Sequence, residues 1–466
     1  MKPLLYTLLL LTVSFSYATE IFSYKLKDNE KFISAQAVNF SSEGILHTVV
    51  VRNRDTKSFD LVSFYKEADR QIKQLATATF EDKPEMVSYH KVNNTVTLLF
   101  YHRNVLSITD IDLTSNTVTK KDIPFREKPE NIVTLPNKSI VINSDVNGRN
   151  ISFLTIENSQ SFNTKTTNVP IAFQKEIKNS FLGKLEIVNT NEYVKNGAIN
   201  KTQAYYENGT FMLIKDTKTD EKLEAILITP ESSEPVVQRD FTSTVKLAKI
   251  KDSNNQVIDQ KLYGIYLGKE DFGVSVFDIH TGNEEKKLLL SEDIAQIENA
   301  VKIKTYMKTA TKSKMKTTIS VNKTKSNNYT VTVSYVEKER YNYYFNDWFW
   351  MHHHQQMMLQ QQQMTIPRPG GFGPSFPMYE SDAFFFEEKN QSLSFTLDTD
   401  LNLLTDNTEP TKYEFIDKKR IIKNLNENKE LKNTSVGFLE DEYSFLYTDK
   451  KEETLFIDRS TIIKNY

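Results

Sequence analysis

The sequence predicts an all-β protein, on three observations. Apolar residues recur with period two over short runs, the runs are separated by clusters of Asn, Ser, Thr and Gly, and helical spacing is scarce. TVTLLFYHRNVLSITDIDLTSNTVTKKDI (95–123) alternates and turns at Ser115-Asn116. NISFLTIENSQSFNTKT (150–166) turns at Asn158-Ser159, and FGVSVFDIHTGNEEKKLLL (272–290) turns at Thr281-Gly282-Asn283. YTVTVSYVEKE (329–339) and QSLSFTLDTDLNLL (391–404) each read as a strand, and EYSFLYTDKKEETLFID (442–458) as a pair. The best helix candidate is short, around Glu292 to Val301.

A repeat organises these strands. FEDKPEMVSY (80–89) recurs as FREKPENIVT (125–134), with the Phe, the Lys-Pro-Glu and the following apolar position matching at a spacing of 45 residues. The copies run on to Pro124 and Pro170, each with strands around a polar turn. A period of this length with about four strands suits a sheet that cannot bury both of its faces alone and must pack between copies of itself. The same punctuation divides the chain into units near 31–80, 81–125, 126–170, 171–240, 241–300, 301–405 and 406–466, and IFSYKLKD (21–28) is available to complete the last sheet and cover its edge. On this period and pattern the chain resembles the β-propeller superfamily in a diverged form. It lacks the Gly-His and Trp-Asp signatures of Trp-Asp repeat propellers, and SDVNG (144–148) has the wrong spacing and no Trp for a sialidase-type box. The resemblance implies a β-propeller of about seven four-stranded blades, six to eight being the range, and implies no activity. The alternative architecture is a set of tandem β-sandwich domains.

The chain opens MKPLLYTLLLLTVSFSYATE: a Lys, an apolar stretch and a small-residue ending at Ser16-Tyr17-Ala18. That pattern is a secretory signal peptide over 1–18, leaving 19–466 as the mature propeller, periplasmic or extracellular. No later apolar segment is long enough to predict a transmembrane helix. With no cysteine, the fold rests on burial and hydrogen bonds, which fits a bacterial periplasm better than a eukaryotic secretory route. The 59 Lys and Arg are interspersed with 61 Asp and Glu, so nucleic acid is not an expected partner.

Catalytic motifs are missing. There is no G-x-S-x-G elbow, phosphate loop, H-E-x-x-H or Cys nucleophile. Carboxylates are plentiful, which leaves a carbohydrate-active enzyme with carboxylate catalysis as the weakest alternative. His47, His90, His102 and His280 read as strand or turn residues. The unusual segment is 340–382, an insertion between two strands that contains NDWFWMHHHQQMMLQQQQM (346–364). Seven of residues 341–350 are aromatic, and five of the ten methionines lie between 351 and 378. Aromatic side chains give large contact area at low entropic cost, so Tyr343, Tyr344, Trp348, Phe349 and Trp350 are the expected anchors for a protein or envelope component. The expected function is therefore an exported, non-catalytic binding or scaffold protein. The alternative for the same loop is handling of a transition metal (Cu, Ni or Zn) or haem through His352, His353 and His354 with Met351 and Met357. A lid or spacer without a partner is the remaining reading.

Overall fold

The computed structural model describes residues 22–40, 43–67, 72–182, 185–190, 193–194, 202–216, 222–294, 300–337, 392–405, 409–412, 416–439 and 441–462. Its strands form seven antiparallel sheets. The first begins with Glu30–Phe40, Gly44–Asn53 and Phe59–Glu67, and two short strands, Ile72–Gln74 and Ala78–Phe80, share its outer edge. The second is Glu85–Val92, Thr95–His102, Val105–Asp112 and Thr117–Pro124. The third is Ile132–Leu135, Lys138–Ser144, Asn150–Ile156 and Phe162–Asn168. The fourth is Thr202–Glu207, Thr210–Asp216, Lys222–Ile228 and Val236–Thr242, with the two-residue Glu186–Ile187 added in parallel inside it. Asp252–Ile258, Lys261–Leu267, Phe272–Asp278 and Glu284–Leu289 make the fifth. Met315–Lys323, Tyr329–Glu337, Leu393–Leu397 and Leu403–Leu404 make the sixth. The seventh is Lys432–Phe438, Glu442–Thr448 and Thr454–Thr461, with Phe22–Lys25 as its outer strand.

This is a seven-bladed β-propeller, and the ring closes as the sequence suggests: Phe22 stands opposite Ile457 and Lys25 opposite Thr454. The first strand of each blade is innermost, because Glu30–Phe40 meets Lys432–Phe438 and Glu85–Val92, while Asp252–Ile258 meets Met315–Lys323. Blades pack face to face. Val49, Val51 and Phe64 of the first blade share a core with Leu446, Leu455 and Ile457 of the seventh. Tyr263, Ile265 and Val274 of the fifth share one with Ile319, Val331 and Phe395 of the sixth. Middle strands are therefore buried on both faces, and GILHTVVVRN and KLYGIYL run nearly continuously apolar or buried instead of alternating. Outer strands such as Thr117–Pro124 are largely exposed.

Three features depart from the sequence reading. Run 95–123 holds a second turn at Arg103-Asn104, both with positive φ (40° and 66°). QSLSFTLDTDLNLL is two strands, not one: Leu401 has φ 64°, and the Asp398 carboxylate accepts from the N–H groups of Asp400 and Asn402 at 2.9 and 2.7 Å. The helix candidate at Glu292–Val301 meets a helix only at its end: Glu292 and Asp293 lie in a turn, 295–299 lie outside the described residues, and the described helix runs on from Ala300. Three helices are described: α1 (Ile171–Leu182), α2 (Ala300–Ala310) and α3 (Lys418–Glu427). The α2 segment was missed because its buried strip is narrow, Tyr306, Met307 and Ala310 only, and its β-branched residues lower its helical propensity. At α3 the Asp417 carboxylate caps the first turn, accepting from Arg420 N at 3.1 Å.

Candidate binding face

Antiparallel blades of four strands, read outward from the axis, alternate the direction of the chain. Connections from second to third strand, and from the outer strand to the next blade, therefore leave by one face of the ring; the others leave by the opposite face. All three helices fall in blade-to-blade connections: α1 between the third and fourth blades, α2 between the fifth and sixth, α3 between the sixth and seventh. The chain between Glu337 and Leu393 is a second-to-third connection of the sixth blade, so it leaves and returns on that same face. Tyr343, Tyr344, Trp348, Phe349, Trp350, Met351, His352, His353, His354 and Met357 all lie outside the described residues, as do residues 1–21.

The base of that connection stands over a buried ionic cluster that no sequence motif announces. Lys316 is opposite Val336, and Met315 opposite Glu337, at the last register positions before the chain leaves. The Lys316 side chain is 6% exposed and reaches Asp252 Oδ1 at 2.8 Å and Asp216 Oδ2 at 3.4 Å. Its Nζ also donates to the Ser253 carbonyl, while Ser253 Oγ donates to Asp216 Oδ1. Asp252 Oδ2 accepts from Thr317 N at 2.7 Å. The fourth, fifth and sixth blades are thus tied at their rims by groups that neutralise and hydrogen-bond one another. Deeper in the ring the tie continues as a ladder: Asn254 Oδ1 accepts from Ile319 N at 3.3 Å, and the Gln256 amide accepts from Val321 N at 2.9 Å and donates to Val321 O at 2.8 Å. Alternate side chains of one inner strand satisfy the open backbone edge of the next. Asp216, Asp252 and Lys316 are 100 residues apart end to end, so only the fold brings them together.

The same face carries a groove of about 380 Å³ lined by Ile303, Lys304, Met307, Lys308 and Thr311 with the Lys269-Glu270 turn. The histidines outside the insertion are strand or turn residues. Burial holds His47, His90 and His102 below the ordinary histidine value, His47 at about 3 with a further push from the Lys66 charge. His47 Nε2 lies 2.9 Å from Ser444 Oγ across the junction of the seventh and first blades. His90 bonds Ser139 Oγ at 2.9 Å and the Glu157 carbonyl at 2.8 Å. His280 sits in a turn against Gln260. Among the described residues no group of three or more His, Cys, Asp or Glu side chains could hold a metal ion, and no helix is long and apolar enough to cross a membrane.

No protein-family model matches this chain, and no curated protein matches it. Similar solved structures include an uncharacterised protein of Listeria monocytogenes, at 11% identity over 58% of this chain and 69% of that one, with a TM-score of 0.25. A nidogen/laminin complex chain matches at 10% identity over 56% of this chain and 80% of that one, TM-score 0.23. A neuraminidase-like protein of a little yellow-shouldered bat isolate matches at 8% identity over 68% of this chain and 95% of that one, TM-score 0.23. With TM-scores this low, the fold rests on the seven sheets and the packing between them.

Proposed function

We propose that this chain is an exported, non-catalytic β-propeller that works as a binding or scaffold protein, engaging a protein or envelope component through the face from which the 340–382 segment leaves. The observation that carries the reading is the size of one connection. Val333 and Leu393 are paired neighbours in the sixth blade, yet 59 residues separate them in number, whereas neighbouring strands of a sheet ordinarily need only a few residues between them. A long insertion is tolerated thermodynamically because loop length costs little, but it is kept in a compact fold chiefly for what it contacts. Its concentration of Trp, Phe and Tyr supports a contact role, and the leader-like N-terminus with a cysteine-free chain supports a bacterial-type periplasmic setting.

The test compares the mature chain with a variant lacking 341–382, bridged by a short Gly-Ser turn, in co-purification from the native cell envelope. The expected result is loss of a specific partner with an unchanged melting temperature. Identical partner sets would reject the contact role, and a collapsed melting temperature would make the segment part of the core. Within the segment, Trp348→Ala with Trp350→Ala should weaken capture, whereas replacing His352, His353 and His354 by Ala should leave it intact.

A further inference from the structure

Two connections on this face concentrate positive charge. Residues 243–251 (STVKLAKIK) and 300–314 (AVKIKTYMKTATKSK) hold eight lysines and no Asp or Glu, while the earlier part of the second connection carries Glu292, Asp293 and Glu298. They lead into the fifth and sixth blades and meet there: Lys251 Nζ approaches the Thr311 carbonyl at 3.5 Å, and Leu247 packs against the Gly268 turn, 3.6 Å from where a Cβ on that glycine would stand. Lys246, Lys249, Lys304, Lys308 and Lys312 are exposed, and none has an ion-pair partner among the described residues.

On α2 the spacing sets two rows side by side. Ile303 and Met307, four apart, form the apolar floor of the groove; Lys304 and Lys308, also four apart, form its basic wall. Lys269 closes the other side. The single carboxylate in the lining, Glu270, is 86% exposed and 3.8 Å from Lys269. The floor is recessed, with Met307 8% exposed. An anionic membrane would be met by projecting apolar side chains, and among the described residues of these two connections only Val301 projects. Single-stranded nucleic acid would be met by aromatic platforms, and none lines the groove.

We propose that this groove takes an acidic peptide segment of a partner protein, with one apolar or aromatic side chain seated on Ile303 and Met307 and flanking carboxylates on Lys304, Lys308 and Lys269. The assignment shares with the proposed function the premise of a binding protein, and it rests on residues of α2 and the Lys269-Glu270 turn, not on residues of the 340–382 segment.

The test is fluorescence anisotropy on the full mature chain with a labelled peptide of sequence EEDLFEDE. Controls are the same peptide with Lys at each acidic position, the same peptide with Ser replacing its Leu and Phe, and phosphatidylglycerol vesicles. The acidic apolar peptide should bind alone among these, more weakly as salt rises. Binding should fall by about tenfold or more in the Lys304→Glu, Lys308→Glu double variant and should fall also in Ile303→Ser. The double variant should keep its melting temperature, both side chains being exposed. Chain lacking 341–382 should bind the peptide as the intact chain does, whichever way the envelope co-purification turns out. No peptide binding, equal binding by the charge-reversed variant, binding to vesicles in place of peptide, or loss of peptide binding with the insertion would each overturn the proposal.

Discussion

Lys316 shows what holds charge inside this ring. Removing its ammonium takes from the buried Asp216 and the mostly buried Asp252 the positive charge they share, so Lys316→Ala should lower the unfolding free energy by about 3–5 kcal/mol in urea titration. Lys222 lies at the surface beside Asp240, where solvent screens the pair, and Lys222→Ala should cost far less. Equal losses in the two variants would show that the buried cluster is no special tie. A tight contact gives a second residue-scale expectation. A Cβ on Gly273 would stand 2.4 Å from Val245 Cγ1, and valine has little rotamer freedom to yield. Gly273→Ala should therefore destabilise by about 1–3 kcal/mol, and Gly273→Ala with Val245→Ala should recover part of it. The histidines set a pH window. Unfolded His47 takes up a proton near its ordinary value of 6.5, whereas folded His47 stays neutral until about 3. The unfolded chain thus binds more protons between those limits, so this contribution is complete above 6.5 and is lost as pH falls toward 3. Denaturation midpoints measured across that range should fall less steeply in His47→Gln. An unchanged slope would mean that other groups govern the acid limb.

At the scale of elements, legibility followed burial. The Lys-Pro-Glu repeat marked the approaches to Glu85–Val92 and Ile132–Leu135, the inner strands of the second and third blades, because equivalent corners of equivalent blades need equivalent chain turns. The seven units read from punctuation match the seven sheets. The helices were not legible, since each is short and rests on the rim with few buried residues, leaving little periodicity to detect. The split at Leu401 was hidden for another reason: Asp and Asn side chains can replace backbone partners in a turn without interrupting an apolar pattern. Asp112 and Asp398 do this, and hydrogen bonds from the backbone, chiefly that of Ser115 and of Asn402, hold their carboxyls below the ordinary value. Asp398→Ala should loosen the outer hairpin of the sixth blade, seen as faster amide exchange in Leu393–Leu397 and Leu403–Leu404 with little change elsewhere. The rim cluster was illegible because Asp216, Asp252 and Lys316 belong to three blades, and nothing local ties any one of them to the others.

Across the whole molecule, the ring depends on a strand from the far end of the chain. Thr454–Thr461 pairs with Glu442–Thr448 on one side and Phe22–Lys25 on the other. Without the second partner its edge would be open, and Phe22 and Tyr24 would leave the ring of Phe64, which they now meet at 5.4 and 5.3 Å. A chain starting at Asp28 should melt at lower temperature than one starting at Thr19 and associate through the exposed edge, as gel filtration would show. A monomer of unchanged stability would mean that the seventh blade stands on three strands.

That clasp also orders events in time. Phe22–Lys25 precedes every other described strand in the chain, and the strand it must grip follows all of them. While a ribosome still holds Thr454–Thr461, six blades can assemble and the seventh cannot finish. Closure of the ring therefore waits until the last described strand is free to meet the first.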